Sequence, residues 1–164
     1  FVLTADHTNH SVQERYKTPS GELEVPVIFF LPDGEAPFEP GIDSTTIAQQ
    51  IDIMPTVLEY IGYDKPFIAF GKSLLSTTPE ECYAVNYANE AYRYYKGDYI
   101  LLYNGENDTP LSMYNLSKDV MMKNNILGNN DVQDEMTREL QAIIQQYMNR
   151  MVENRLTVDN DTIK

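Results

Sequence analysis

Cysteine, histidine and positive charge are all scarce in this chain. Cys82 is the one cysteine among 164 residues, so an intrachain disulfide and a cysteine-based zinc site are both excluded. A lone thiol of this kind reads as a small apolar core residue and says nothing of redox compartment. Basic residues number 12 against 25 acidic ones, for a formal net charge of -13. Phosphate-backbone binding needs clustered Lys and Arg, so nucleic acid is excluded as a partner, and an anionic membrane surface is disfavoured by the same sign of charge. No stretch approaches the roughly 20 apolar residues of a membrane span, and no signal-peptide pattern is visible. A glycine-rich phosphate loop and a serine nucleophile elbow are missing as well. The chain opens on Phe1 and runs straight into an apparent strand, as expected of a portion of a longer protein.

What is present is ordinary globular material: hydrophobic residues make up 42% and charged residues 23%, enough for a real core. "FVLT" (1–4) is apolar and β-favouring and reads as a buried strand ending at a polar loop. "VPVIFFLP" (25–32) is a near-continuous apolar run, the pattern of a strand covered on both faces in an α/β sheet, with Pro26 and Pro32 limiting its ladder. "DIMPTVLEYIGY" (52–63) predicts a helix. Asp52 suits its N-cap, Pro55 its first turn, and Gly62 a left-handed C-terminal cap, with Ile53, Val57, Leu58 and Ile61 as its apolar stripe.

Beyond residue 75 the composition changes, and eight of the twelve tyrosines fall between 83 and 114. "YAVNYA", "AYRYYK", "DYILLYN" and "LSMYNL", separated by turn residues, predict a four-stranded antiparallel meander. A long helix follows, with Asn130 and Gln133 at capping-box spacing and Val132, Met136, Leu140, Ile143, Tyr147, Met151 and Val152 recurring at helical period to about 155. The tyrosine and methionine stripes read as packing rather than as a ligand box. The sequence therefore predicts an α/β portion (1–75), a meander with one long helix (80–156) and a frayed tail (157–164).

The two histidines, His7 and His10, both lie in "TADHTNH" (4–10), just after the first apolar run. Functional groups collect at strand carboxyl ends in α/β sheets, and a carboxylate beside an imidazole suits a divalent cation. Neighbouring residues of an extended chain point to opposite sides, so Asp6 and His7 reach one ion only if the backbone turns there. The plainer reading is a capping aspartate and a solvated histidine. Thr4 is a weak nucleophile candidate beside His7. Glu80, Glu81 and the acidic cluster at 131–135 read as solvated faces or helix-start charges.

The ordered set "FVLTADH", "VPVIFFLP", "QIDIMPTVLEYIGY", "FGKSLL" and "LSMYNLSKD" resembles the C-terminal half of the sulfatase and alkaline phosphatase superfamily, and within it the lipoteichoic-acid-synthase-like phosphoglycerol transferases. The resemblance covers about residues 1–125. It implies the C-terminal portion of an α/β/α sandwich with a small four-stranded antiparallel sheet and a long final helix. It implies Asp6 and His7 as ligands of one divalent ion (Mn, Mg, Zn or Ca), with His10 a weaker substrate contact; Lys72 of "FGKSLL" falls at a recurring family motif but reads as a structural anchor of its loop. No catalytic nucleophile is expected in this chain: a Thr, Ser or modified Cys would lie upstream. The implied substrate is a phosphate or sulfate ester, lipid head groups among the candidates, and the implied setting an extracytoplasmic domain of a membrane-anchored protein. The chain alone is then expected to be inactive and, with sheet edge and apolar surface uncovered, to self-associate. An arylsulfatase is the alternative within the superfamily. A binding module using Tyr92, Tyr94 and Tyr95 as one exposed face is the alternative outside it.

Overall fold

In the computed structural model the described residues are 1–9, 12–32, 38–128 and 132–158. The architecture is mixed α/β. Among the described residues six strands, β1 (Val2–Thr4), β2 (Val27–Phe29), β3 (Tyr83–Ala88), β4 (Ala91–Lys96), β5 (Tyr99–Asn104) and β6 (Thr109–Asn115), accompany two α-helices, α1 (Ile53–Tyr60) and α2 (Gln133–Val152). β3 to β6 form an antiparallel meander in sequence order, and β1 and β2 form a separate antiparallel pair.

The meander is where the chain buries most. In register, Val85, Tyr94, Leu101 and Met113 lie side by side across the four strands. Tyr94, Leu101, Tyr103 and Met113 form a core with Met136 and Leu140 of α2. The opposite face is covered too. Ala84, Ala91, Arg93 and Ile100 are all buried there, as are Thr18, Ser20 and Gly21 of the segment that reaches it. Cys82 is buried beside the first strand, and burial pushes its thiol pKa up. Tyr94 is 1% exposed, so Tyr92, Tyr94 and Tyr95 do not form one open aromatic face.

The α2 stripe is buried only in its first half. Tyr147, Met151 and Val152 are exposed, Tyr147 meeting the Phe70 ring edge-on at 5.0 Å. The helix has 20 residues and is about 30 Å long, and its contact with the core is made by Met136, Leu140, Ile143 and Ile144, so the later part of the stripe runs past the core. Asn130, proposed for the capping box, lies outside the described residues. Gln133 instead accepts the Gly128 N–H at 2.6 Å.

α1 also differs from the stripe read in its sequence. Its buried residues are Pro55 and Thr56, while Ile61 is 63% exposed. The reason is polar. Asp52, 3% exposed, accepts the Gln49 N–H through Oδ2 at 2.9 Å and the Lys72 N–H through Oδ1 at 2.8 Å. Thr56 Oγ1 accepts the Leu74 N–H at 3.0 Å and donates to Asp52 O at 2.6 Å. The helix therefore turns its polar start toward the 71–74 loop. Its end is as expected: Gly62 at φ +69° donates to Glu59 O, and Tyr63 N–H to Leu58 O, a Schellman closure.

β1 and β2 are not covered on both faces. Leu3 stands opposite Ile28, and Phe1, Leu3, Ile28 and Phe30 are 78%, 55%, 48% and 52% exposed. The apolar run is strand, as its composition dictates, but no described element lies over this side of the ribbon.

Candidate functional site

β1 delivers Asp6 and His7 just beyond its last residue, where the backbone bends. Because of that bend the two side chains lie on the same side: His7 Nε2 is 3.5 Å from Asp6 Oδ2, and the His7 backbone N–H donates to Asp6 Oδ1 at 2.9 Å. Both side chains are open to solvent. His7 Nδ1 is 2.7 Å from Thr8 O. A carbonyl oxygen brings no proton, so Nδ1 carries it, and in the neutral ring Nε2 keeps the lone pair. The Thr8 carbonyl first, and the Asp6 carboxylate second, raise the imidazole pKa from its ordinary value.

Two other segments hold this loop in place. Thr8 Oγ1 donates to Glu22 O at 2.5 Å. Gln50 Nε2, from the turn before α1, donates to Ala5 O and, at 3.5 Å, to Asp6 O. A cleft beside the pair is lined by His7, Thr8, Tyr16, Lys17, Leu23 and Asn89, the last from the β3–β4 turn. Thr8, Gln50 and Glu22 were not singled out in the sequence, since nothing in their spacing ties them to residues up to 45 positions away.

The donor chemistry fits a divalent cation: one carboxylate oxygen and one imidazole nitrogen with its proton held on the far ring atom. Among the described residues, no group of three or more His, Cys, Asp or Glu side chains could hold a metal ion. A cation at Asp6 and His7 would therefore draw its other ligands from elsewhere. His10, expected as a weaker substrate contact, lies outside the described residues. Thr4 Oγ1 turns to Ala5 O at 3.4 Å. Lys72 is an anchor: its Nζ donates to Glu81 O at 2.9 Å and sits 5.1 Å from the Tyr83 ring centroid. No described helix is long and apolar enough to cross a membrane.

No family model matches the chain, and no curated protein does. Solved structures do. One, described as a "putative sulfatase" from Bacteroides thetaiotaomicron VPI-5482, superposes with a TM-score of 0.58 over 91% of this chain and 36% of its own, at 18% identity. Another, BT4656 in complex with its substrate D-glucosamine-2-N,6-O-disulfate, gives a TM-score of 0.43 over 60% of this chain and 24% of its own, at 24% identity. The chain thus spans 36% of the length of the first and 24% of the second. At 18% identity the first likeness is one of fold alone: the mixed α/β chain, with its four-stranded antiparallel sheet and long final helix, matches that structure's arrangement.

Proposed function

We propose that the chain is part of a metal-dependent enzyme of the sulfatase and alkaline phosphatase superfamily, acting on a sulfate or phosphate ester. The observation that supports this best is the convergence of the Asp6 carboxylate and the His7 imidazole at the end of β1, 3.5 Å apart. In this reading residues 1–75 belong to the catalytic α/β portion and 80–156 to a supporting subdomain.

Asp6 and His7 would hold one divalent cation, which supplies charge neutralisation at the ester oxygens and lowers the pKa of a nucleophile. The chain's own part is to present the two donors on one side of a bent loop and to keep the His7 proton on Nδ1. The nucleophile would be supplied by upstream chain, a threonine in a phosphoglycerol transferase or a cysteine matured to formylglycine in a sulfatase. The sulfatase description of the fold neighbour favours a sulfate ester. An aromatic binding platform is disfavoured by the burial of Tyr94.

The test is made in the full-length protein that contains this chain. Asp6→Ala and His7→Ala are each expected to abolish ester cleavage and to lower bound metal, measured by mass spectrometry. Their melting curves should stay close to wild type, since both side chains are exposed and such surface changes typically cost within about 0.5 kcal/mol. Wild-type turnover in either variant would remove the assignment. The 164-residue chain alone is expected to cleave neither sulfate nor phosphate esters.

A further inference from the structure

Arg93 is 2% exposed, a buried guanidinium in β4 on the sheet face away from α2. Its neighbours on that face include Ala84, Ala91 and Ile100, all buried. Taking such a charge out of water costs several kcal/mol, and a paired partner often does no better than an apolar side chain of similar volume. What a fixed guanidinium does supply is geometry. Arg93 Nη1 donates to Pro19 O at 2.6 Å and meets Glu22 Oε1 at 2.5 Å. It thereby ties Pro19, ahead of the 3-10 turn Gly21–Leu23, and the turn's own Glu22 to one point on the sheet.

That turn carries the Glu22 carbonyl, which accepts the Thr8 hydroxyl at 2.5 Å. Thr8 in turn offers its own carbonyl to His7 Nδ1 at 2.7 Å. Every link from the guanidinium to the imidazole is thus a short polar contact or one residue of backbone. The geometry points to Arg93 as a positioning residue that fixes the tautomer and orientation of His7 through Glu22 and Thr8. It touches no reacting atom. The tautomer part stands on the structure alone; its consequence for metal affinity rests on the function proposed above.

The tautomer is read directly from long-range proton–nitrogen spectra of the neutral imidazole in the 164-residue chain, without added metal. There are two histidines, so His10→Gln assigns the signals. Wild type is expected to show His7 almost wholly protonated on Nδ1. Thr8→Val, which deletes the hydroxyl link, should shift His7 severalfold toward the Nε2-protonated form. Arg93→Gln and Glu22→Gln should shift it the same way, and Arg93→Lys less. Unchanged tautomers in folded Arg93→Gln and Glu22→Gln chains overturn the inference, whatever Thr8→Val does. If Arg93→Gln does not fold, Glu22→Gln decides, because it leaves the bond to Pro19 in place. Broadening of the His7 signals by Mn²⁺ separates the two ideas. Affinity reduced about 10- to 100-fold in the Arg93 and Thr8 variants extends the role to metal binding. Tautomer shifts with no Mn²⁺ effect on wild-type His7 would leave the positioning role standing and count against the metal site.

Discussion

The Tyr94 hydroxyl donates to Glu139 Oε2 at 2.7 Å, binding the middle of the meander to the face of α2. Lys96 Nζ pairs with the other oxygen of the same carboxylate. Burial is the strongest single influence on Glu139 and raises its pKa, yet the bonds from Lys96 and Tyr94 together outweigh it and leave the pKa below its ordinary value of 4.5. A carboxyl depressed in the folded state stabilises the fold above its unfolded pKa and loses that effect as pH falls through the folded one. Glu139→Gln should therefore be less stable than wild type at neutral pH, with the gap closing below pH 4.5. Tyr94→Phe is expected to cost about 1.5–3 kcal/mol at neutral pH, the range for a hydrogen bond to a charged group. Urea unfolding at stepped pH measures both.

Asp52 should show the opposite pH trend. Burial is the dominant influence and raises its pKa above 3.8, against the downward pull of the Lys72 and Gln49 N–H donors. The folded chain then holds the proton more tightly than the unfolded one, so this group's contribution is largest below pH 3.8 and declines as pH climbs through the raised value. Asp52→Asn sets an NH₂ against one of two N–H donors, and about 1–3 kcal/mol is the expected loss. Equal pH slopes for Asp52→Asn and wild type would contradict this account.

Gly71 is required by a close approach rather than by its backbone angles. A Cβ there would lie 2.2 Å from Ile51 O and 2.7 Å from Asp52 N, both main-chain atoms of the turn leading into α1. Gly71→Ala should cost about 1–3 kcal/mol, the usual range for overpacking. It should also release the Lys72 N–H from Asp52, visible as faster amide exchange at Lys72.

The β1–β2 ribbon presents Phe1, Leu3, Ile28 and Phe30 to solvent on one side. Apolar patches of this sort drive association, so the 164-residue chain is expected to self-associate at micromolar concentration. Leu3→Glu together with Ile28→Lys, facing residues in the ladder, should lower the mass seen by light scattering without changing the circular dichroism of the meander. A strictly monomeric wild-type chain would remove the prediction.

The meander was the most legible part of the sequence. Alternation, tyrosine content and short polar turns are local signals, and β3 and β4 end at the residues that those signals mark. Asp52 stands at the N-cap position but makes no side-chain cap bond, giving its carboxylate to Gln49 and Lys72 instead, whereas the end of α1 was plain from Gly62. Its buried face was not, because Asp52 and Thr56 bond to residues 71–74, and hydrogen-bond partners some 20 positions away leave no periodic trace. The same holds for the loop carrying Asp6 and His7. The pair was visible as residue types, but whether its side chains meet depends on a bend held by Gln50 and by the turn at Glu22. Hydrophobicity marked β2 as strand and overstated its burial, since an apolar run records the composition of a strand and not what lies over it.

The order of β3 to β6 along the chain has a kinetic consequence. Each strand of the meander pairs with its successor, so the loops closed during its formation are short and cost little entropy. Arg93, by contrast, must find Pro19 across 74 positions, a closure that is slow by comparison. The sheet should therefore assemble early and act as a template on which the Pro19–Glu22 turn docks, leaving the loop with Asp6 and His7 among the last pieces to acquire its shape.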